Sequence, residues 1–353
     1  MIKKNDNAPR KYFASANTYR GFISYFDSVF DSKDYEKIYV LKGGPGTGKS
    51  SFMRQMSDIF FNKNTYVEQI YCSSDPHSLD GITVTHGNKK IAILDGTSPH
   101  ERDAKIPGAI DEIVDLGASL DGRWLSQKRE DILSLNKQKS DAYKIAYMYL
   151  SLAGKSADII CSYYYTRFDK LEAKAKAESL LEEILPDGHS KNGTRLLSSF
   201  GRFGEYKIDA FSEENNRIIS IGNDGISVGM FLNICYDILK EKKADFIHLP
   251  SVLNPSLTEA IYIPNKDIVI TLGDGQINAS EYCPISPLER EQIRTAGKIH
   301  DQALDEAKRW FAIASELHFR LEEIYGEAMN FERNDKIIQE KIPEIANILE
   351  ISI

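Results

Sequence analysis

Apolar residues recur along this chain at two spacings. Short continuous runs read as buried strands: IYVL at 38–41, IAIL at 91–94, IISI at 218–221 and IVITL at 268–272, with TYVEQIY at 65–71 as a further strand. Two runs instead step by three and four residues, SFMRQMSDIF after the first strand and MFLNICYDIL after IISI, and both read as helices. From Trp124 to about Leu185 the pattern is helical almost throughout, with Gly154 marking a bend or join. A second helical stretch begins after SPLE, where Pro287 suits the first turn, and its Glu/Arg/Lys pattern gives a solvated face carrying His300 and His318. The longest nearly apolar run, Ile145–Gly154, is too short to span a bilayer and fits a buried helix face.

Between the first strand and its helix lies GGPGTGKS. Gly43, Gly44, Pro45, Gly46, Thr47, Gly48, Lys49 and Ser50 fit G-x-x-x-x-G-K-[ST], with a strand before and a helix after. Glycines let such a loop turn its N–H groups onto phosphates, and the helix adds the positive end of its dipole. Lys49 is placed to reach the β- and γ-phosphates of ATP, Ser50 to hold Mg²⁺, and Ser51 completes the binding stretch. The strand KKIAILDG ends in Asp95, the expected acidic partner for Mg²⁺. Gly96 follows it where many ATPases that activate water carry a glutamate, so the catalytic base is open among His100, Glu101 and Asp75.

An offset of 179 residues brings Gly43 onto Gly222, Gly46 onto Gly225, Phe52 onto Phe231, Asp58 onto Asp237 and Asp95-Gly96 onto Asp274-Gly275. The chain therefore reads as an internal duplication. In the second copy Lys49 faces Val228 and Ser50 faces Gly229, so the ammonium and the Mg²⁺ ligand are gone. The expected class is α/β: a P-loop NTPase-like sheet with flanking helices, in two tandem P-loop-like units with long helical arms. Residues 1–190 form the nucleotide-binding unit, with its arm at about 122–186, and 191–353 the degenerate unit with C-terminal helices. PDGHSKNG, at 186–193, is the linker.

Composition adds exclusions. The net charge of -8 over 353 residues argues against a dedicated nucleic-acid binder. Four scattered cysteines without a C-x-x-C pair fit reduced thiols in the cytoplasm, and seven histidines without ligand spacing argue against zinc. No apolar stretch follows the charged start, so no secretory signal or membrane partner is expected; an unidentified protein partner or self-association is compatible.

Over its whole length the chain resembles a bacterial family of tandem P-loop proteins described only as predicted ATPases. The resemblance runs through RKYFASANTYRGF, LKGGPGTGKSSFM, YCSSDPHSLDGI, IAILDGTSPH and SLNKQKSDAY. It implies nucleotide binding and names no substrate. Members can keep a lysine in the second loop, and Val228 and Gly229 depart from that pattern. The expected function is a Mg-ATPase or nucleotide-dependent switch. The alternatives are a kinase of a small molecule or nucleotide, suggested by the glycine after Asp95, and a scaffold that binds nucleotide without hydrolysing it.

Overall fold

Residue alternation along the strands assigns every sheet face. The computed structural model describes residues 8–61, 63–185, 193–212 and 216–352, so most of the expected linker lies outside the described residues. The first half runs β1 (Arg10–Phe13), β2 (Ser15–Thr18), β3 (Gly21–Ser24), α1 (Phe26–Val29), β4 (Lys37–Lys42), α2 (Lys49–Phe61), β5 (Tyr66–Tyr71), β6 (Leu79–His86), β7 (Lys89–Asp95), β8 (Asp111–Asp115), α3 (Gly122–Gln127), α4 (Arg129–Arg167) and α5 (Lys170–Glu182). The second runs β9 (Gly193–Thr194), β10 (Ser198–Gly201), β11 (Gly204–Lys207), β12 (Arg217–Gly222), α6 (Gly225–Glu241), β13 (Ile247–Pro250), β14 (Thr258–Ile263), β15 (Ile268–Leu272), β16 (Ile277–Asn278), α7 (Pro287–Glu327) and α8 (Phe331–Leu349).

These strands form two six-stranded mixed sheets, ordered β1-β5-β6-β7-β4-β8 and β9-β13-β14-β15-β12-β16. Adding eight to each label of the first order gives the second, and the parallel and antiparallel pairings match as well. The hairpins β2–β3 and β10–β11 correspond in the same way. The two halves thus share one topology.

Period-two side chains split each sheet between two cores. Tyr39, Leu41, Ile91 and Ile93 face outward into a cluster with Phe52, Met53, Met56 and Phe60 of α2. Their neighbours Ile38, Val40, Ala92 and Leu94 face inward and meet Leu249, Ala260, Tyr262 and Val269 of the second sheet. The outward face of the second sheet, with Ile261, Ile263, Ile268 and Ile270, is covered by α6. The layers therefore run helix, sheet, sheet, helix. At the seam, Phe13 and Leu196 exchange backbone hydrogen bonds of 2.9 and 2.8 Å.

The terminal helices are exchanged between the halves. Ala173, Ala177 and Leu181 of α5 lie in the outer core of the second sheet. Ile338, Ile345, Ala346 and Leu349 of α8 lie in the outer core of the first. The long helices α4 and α7 run antiparallel to make the crossing possible. Leu135 and Ala142 pack with Leu317 and Leu321 at one end, and Ala146 and Leu150 with Ala307 and Phe311 further along. At 1.5 Å per residue each of them is about 60 Å long. Ser286 opens α7 with a capping box to Glu289, and Pro287 sits in its first turn.

Gly154 does not bend α4, which runs unbroken from Arg129 to Arg167. Its role is close approach: a Cβ built there would stand 2.4 Å from the Cβ of Tyr19. The actual break comes at Phe168, where the chain turns and Asp169 caps α5 through the amides of Leu171 and Glu172. No helix among the described residues is long and apolar enough to cross a membrane.

Two stability predictions follow from this packing. Gly154→Ala gains about 1 kcal/mol of helix propensity yet overpacks against Tyr19, so a net loss of about 1–3 kcal/mol is expected by urea denaturation; a net gain contradicts the packing. Arg195 donates to Glu68 at 3.1 Å across the seam, both side chains being buried. Burial is the largest single influence and works to raise the Glu68 carboxyl, but the charges of Arg195, Lys90 and Arg10 and the Arg195 hydrogen bond together outweigh it, leaving the group below its ordinary value. A depressed carboxyl stabilises the fold above its unfolded value and loses that contribution as pH falls through the folded value. Glu68→Gln strands the Arg195 charge, and a loss of about 3–5 kcal/mol at neutral pH is expected, together with a flatter fall of stability on acidification.

Candidate functional site

The loop Gly43–Gly48 leaves the carboxyl end of β4 and enters α2 at Lys49. Gly46 and Gly48 take φ of +68° and +85°, the left-handed region that glycine enters without strain. Thr47 ties the turn by donating its hydroxyl to the Gly44 carbonyl at 2.9 Å. Lys49 folds back over the loop, and its Nζ donates to the carbonyls of Gly44 at 2.8 Å and Gly43 at 3.2 Å. Asp95 ends β7, the strand hydrogen-bonded beside β4, with its Oδ2 3.7 Å from the Lys49 Nζ. Its Oδ1 accepts from the amide and hydroxyl of Thr97 at 2.8 and 2.6 Å. Burial raises the Asp95 carboxyl, against the opposing pull of Lys49. The Ser50 hydroxyl accepts from the Leu79 amide at 2.9 Å, which fixes it between α2 and the start of β6.

Ser50 and Asp95 are two hard oxygen donors at neighbouring strand ends. No group of three or more His, Cys, Asp or Glu suited to a metal occurs among the described residues. A divalent cation here would need further oxygens from its own ligand or from water, which is how Mg²⁺ on phosphates is ordinarily held. Lys49 and the start of α2 offer positive potential on the same side.

The three sequence candidates for a base have different surroundings. His100 is buried, stacked on Phe26 with ring centroids 4.1 Å apart, and its Nε2 lies 3.0 Å from Asp80. Those contacts give it a structural post inside the first half. Glu101 is exposed and makes no hydrogen bond or ion pair among the described residues. Asp75, in the loop after β5, is paired with Arg202 of the β10–β11 turn at 3.2 Å, and its Oδ1 also accepts from the His77 amide. Arg102, the arginine nearest Asp95 in sequence, is buried against Asp111 at 3.1 Å and donates to the Phe30 carbonyl.

What the sequence did not reveal is that the second half covers this loop. A Cβ built on Gly46 would stand 2.5 Å from the Glu322 carbonyl oxygen, and one on Gly44 3.0 Å from the Tyr325 ring. Asn334 of α8 donates to the Thr47 carbonyl at 2.9 Å from a buried position. The α7–α8 corner is fixed by backbone bonds from Asp121 to Ala328 and from Asn330 to Ser119. Glu322 lies 3.6 Å from His318 one turn earlier, with its side chain 39% exposed. Burial raises the Glu322 carboxyl and Asp75 adds to the effect, while Lys49, Arg202 and Lys139 oppose it. Burial pushes the His318 imidazole down to about 4, with Lys139 and Lys49 contributing.

The counterpart loop in the second half is built differently. α6 begins at Gly225, so only Asn223 and Asp224 separate it from β12. In the helix interior the 179-residue offset holds: Phe52, Met53, Met56 and Phe60 correspond to Phe231, Leu232, Cys235 and Leu239, all buried. Val228 therefore stands at the register of Lys49. The residues facing Gly46, Thr47 and Gly48 are not a loop, however, because they have become an extra helical turn. Asp224 caps that turn, accepting from the amides of Ile226 at 3.1 Å and Ser227 at 3.0 Å. A carboxylate of the chain itself occupies the donors that an anion would use. Asp274, the counterpart of Asp95, is exposed after the end of β15. Asp224→Ala is expected to cost about 1 kcal/mol in denaturant titration; an unchanged midpoint would show that the cap contributes nothing.

Comparison of the chain with protein-family models, with curated proteins and with solved structures finds no match.

Proposed function

We propose that the chain binds Mg-ATP at Gly43–Ser50 and works as an ATPase or nucleotide-dependent switch, with the second half taking no part in nucleotide binding through its own loop. The observation that carries this reading is the placement of Lys49. Its ammonium hangs over a loop turned by two left-handed glycines, at the start of a helix, 3.7 Å from the carboxylate that ends the adjacent strand. That set matches a triphosphate: amides and an ammonium for the phosphate oxygens, and Ser50 with Asp95 for the cation that bridges them. Bound Mg²⁺ would neutralise charge on the β- and γ-phosphates. On this reading the fold is P-loop NTPase-like, as the resemblance to tandem P-loop predicted ATPases implies.

The switch component follows from position. The same loop is touched by Glu322, Tyr325 and Asn334, whose helices cross to the other half. A γ-phosphate contact made in one state and lost in the other acts directly on that corner. A kinase reading is less well supported. Arg102, the arginine nearest Asp95 in sequence, is buried against Asp111, so it is not placed as a mobile lid residue over a transferred phosphoryl group.

Lys49→Ala is expected to weaken Mg-ATP binding by about 10- to 100-fold, the worth of a charge-assisted contact, and to abolish turnover. Val228→Ala is expected to change neither. Isothermal titration with each variant checks this, and equal affinity of wild type and Lys49→Ala would defeat the assignment.

A further inference from the structure

We propose that Glu322, on a helix of the second half, is the general base for hydrolysis of the triphosphate held by the first. The proposal rests on the reading of Gly43–Ser50 as the triphosphate site.

Three carboxylates of the first half, Asp95, Asp75 and Asp80, are already engaged, and Glu101 is exposed with no contact to the glycine loop among the described residues. Asp95 is engaged by both donors of Thr97 and faces Lys49. Asp75 is paired with Arg202, and that guanidinium is itself held between Phe203 and Phe319. Asp80 faces His100. Glu322 differs from all three. Its backbone packs on Gly46, it feels the charge of Lys49, and its nearest partner is the half-exposed His318 at 3.6 Å, too long for a hydrogen bond. A carboxylate oxygen is therefore left to accept a proton from water.

The groups around Glu322 come from several elements: His318 on its own helix, Lys139 on α4, Lys49 at the start of α2, Asp75 after β5 and Arg202 in the β10–β11 turn. Burial and Asp75 raise the Glu322 carboxyl, which makes its anion a stronger base at neutral pH. In the step, Glu322 takes one proton from water as the water oxygen bonds to the γ-phosphorus. The bond from that phosphorus to the β–γ bridging oxygen breaks, and the electron pair leaves with the diphosphate. The proton then passes to inorganic phosphate or to solvent, restoring the carboxylate. Glu322 lies 227 positions from Asp95 in sequence and reaches the loop only because α7 folds over it.

Glu322→Gln keeps the shape of the side chain and removes the base. Its Mg-ATP affinity is expected to stay within about threefold of wild type, because the lost interaction belongs to the transition state. Its kcat is expected to fall about 100- to 10,000-fold. The wild-type kcat should decline as pH drops through the raised carboxyl, and the residual rate of Glu322→Gln should lack that acid limb. Glu323→Gln, an exposed neighbour, should behave as wild type. A Glu322→Gln enzyme with wild-type kcat overturns the proposal, as does a wild type that binds Mg-ATP without turnover. A slow variant that keeps the acid limb or loses affinity in step with rate assigns Glu322 a packing role and equally overturns it. Lys49→Ala separates the two levels: if it binds and hydrolyses as wild type, the reading of the loop itself falls, whatever Glu322 does.

Discussion

The constraint that shapes this molecule is that neither sheet can bury its outer face with the helices of its own half. Tyr39, Leu41, Ile91 and Ile93 need more cover than α2 supplies, and Ile338, Ile345, Ala346 and Leu349 of α8 complete it. Ala173, Ala177 and Leu181 of α5 do the same for the second sheet. Each fully buried Leu or Ile side chain is worth about 1.5–3 kcal/mol, so α8 contributes several kcal/mol to the first half and α5 a smaller share to the second. Because α7 must deliver α8 to the first sheet, its last turns are brought to the glycine loop. The contacts of Glu322 and Tyr325 with Gly46 and Gly44 follow from that route.

The two halves show how one topology can join the same strand to the same helix in two ways. The first holds its strand-to-helix connection open with Gly46 and Gly48 in left-handed conformations, and a lysine reaches back over it. The second converts the same stretch into a helical turn and caps it with Asp224. The two arrangements treat the orphan amides at a helix start differently. On the proposed reading one leaves them to a triphosphate, whereas the other supplies the acceptor from the chain through Asp224. The long helix of the second half lies over the loop of the first.

Much of this was legible in the sequence, for local reasons. The runs at 38–41 and 91–94 have both faces buried, so their apolar pattern is unbroken, while 218–221 and 268–272 are covered less completely and carry Ser220 and Thr271 within the run. The loop was readable because its glycine spacing is a backbone requirement. The shared topology was anticipated because the buried positions of α2 and α6 keep one register. The antiparallel strands β6 and β14 were missed: LDGITVTH and TEAIYI mix polar with apolar residues and lack the continuous pattern. The exchange of α5 and α8 was not legible, because an apolar stripe shows that a helix must be covered and not which sheet covers it. Glu322 stayed hidden for a related reason. In sequence it is one of many acids on a charged helix, and only the path of α7 sets it apart.

The central claim is that a triphosphate is held by Gly43–Ser50 beneath a corner donated by the other half. Amide hydrogen exchange with and without Mg-ATP tests it most directly, because local opening of each segment is read separately. The account predicts slower exchange at 43–50 and at 318–334 together, with 222–229 unchanged. Slowing confined to 222–229, or protection of 43–50 with no response at 318–334, would contradict it.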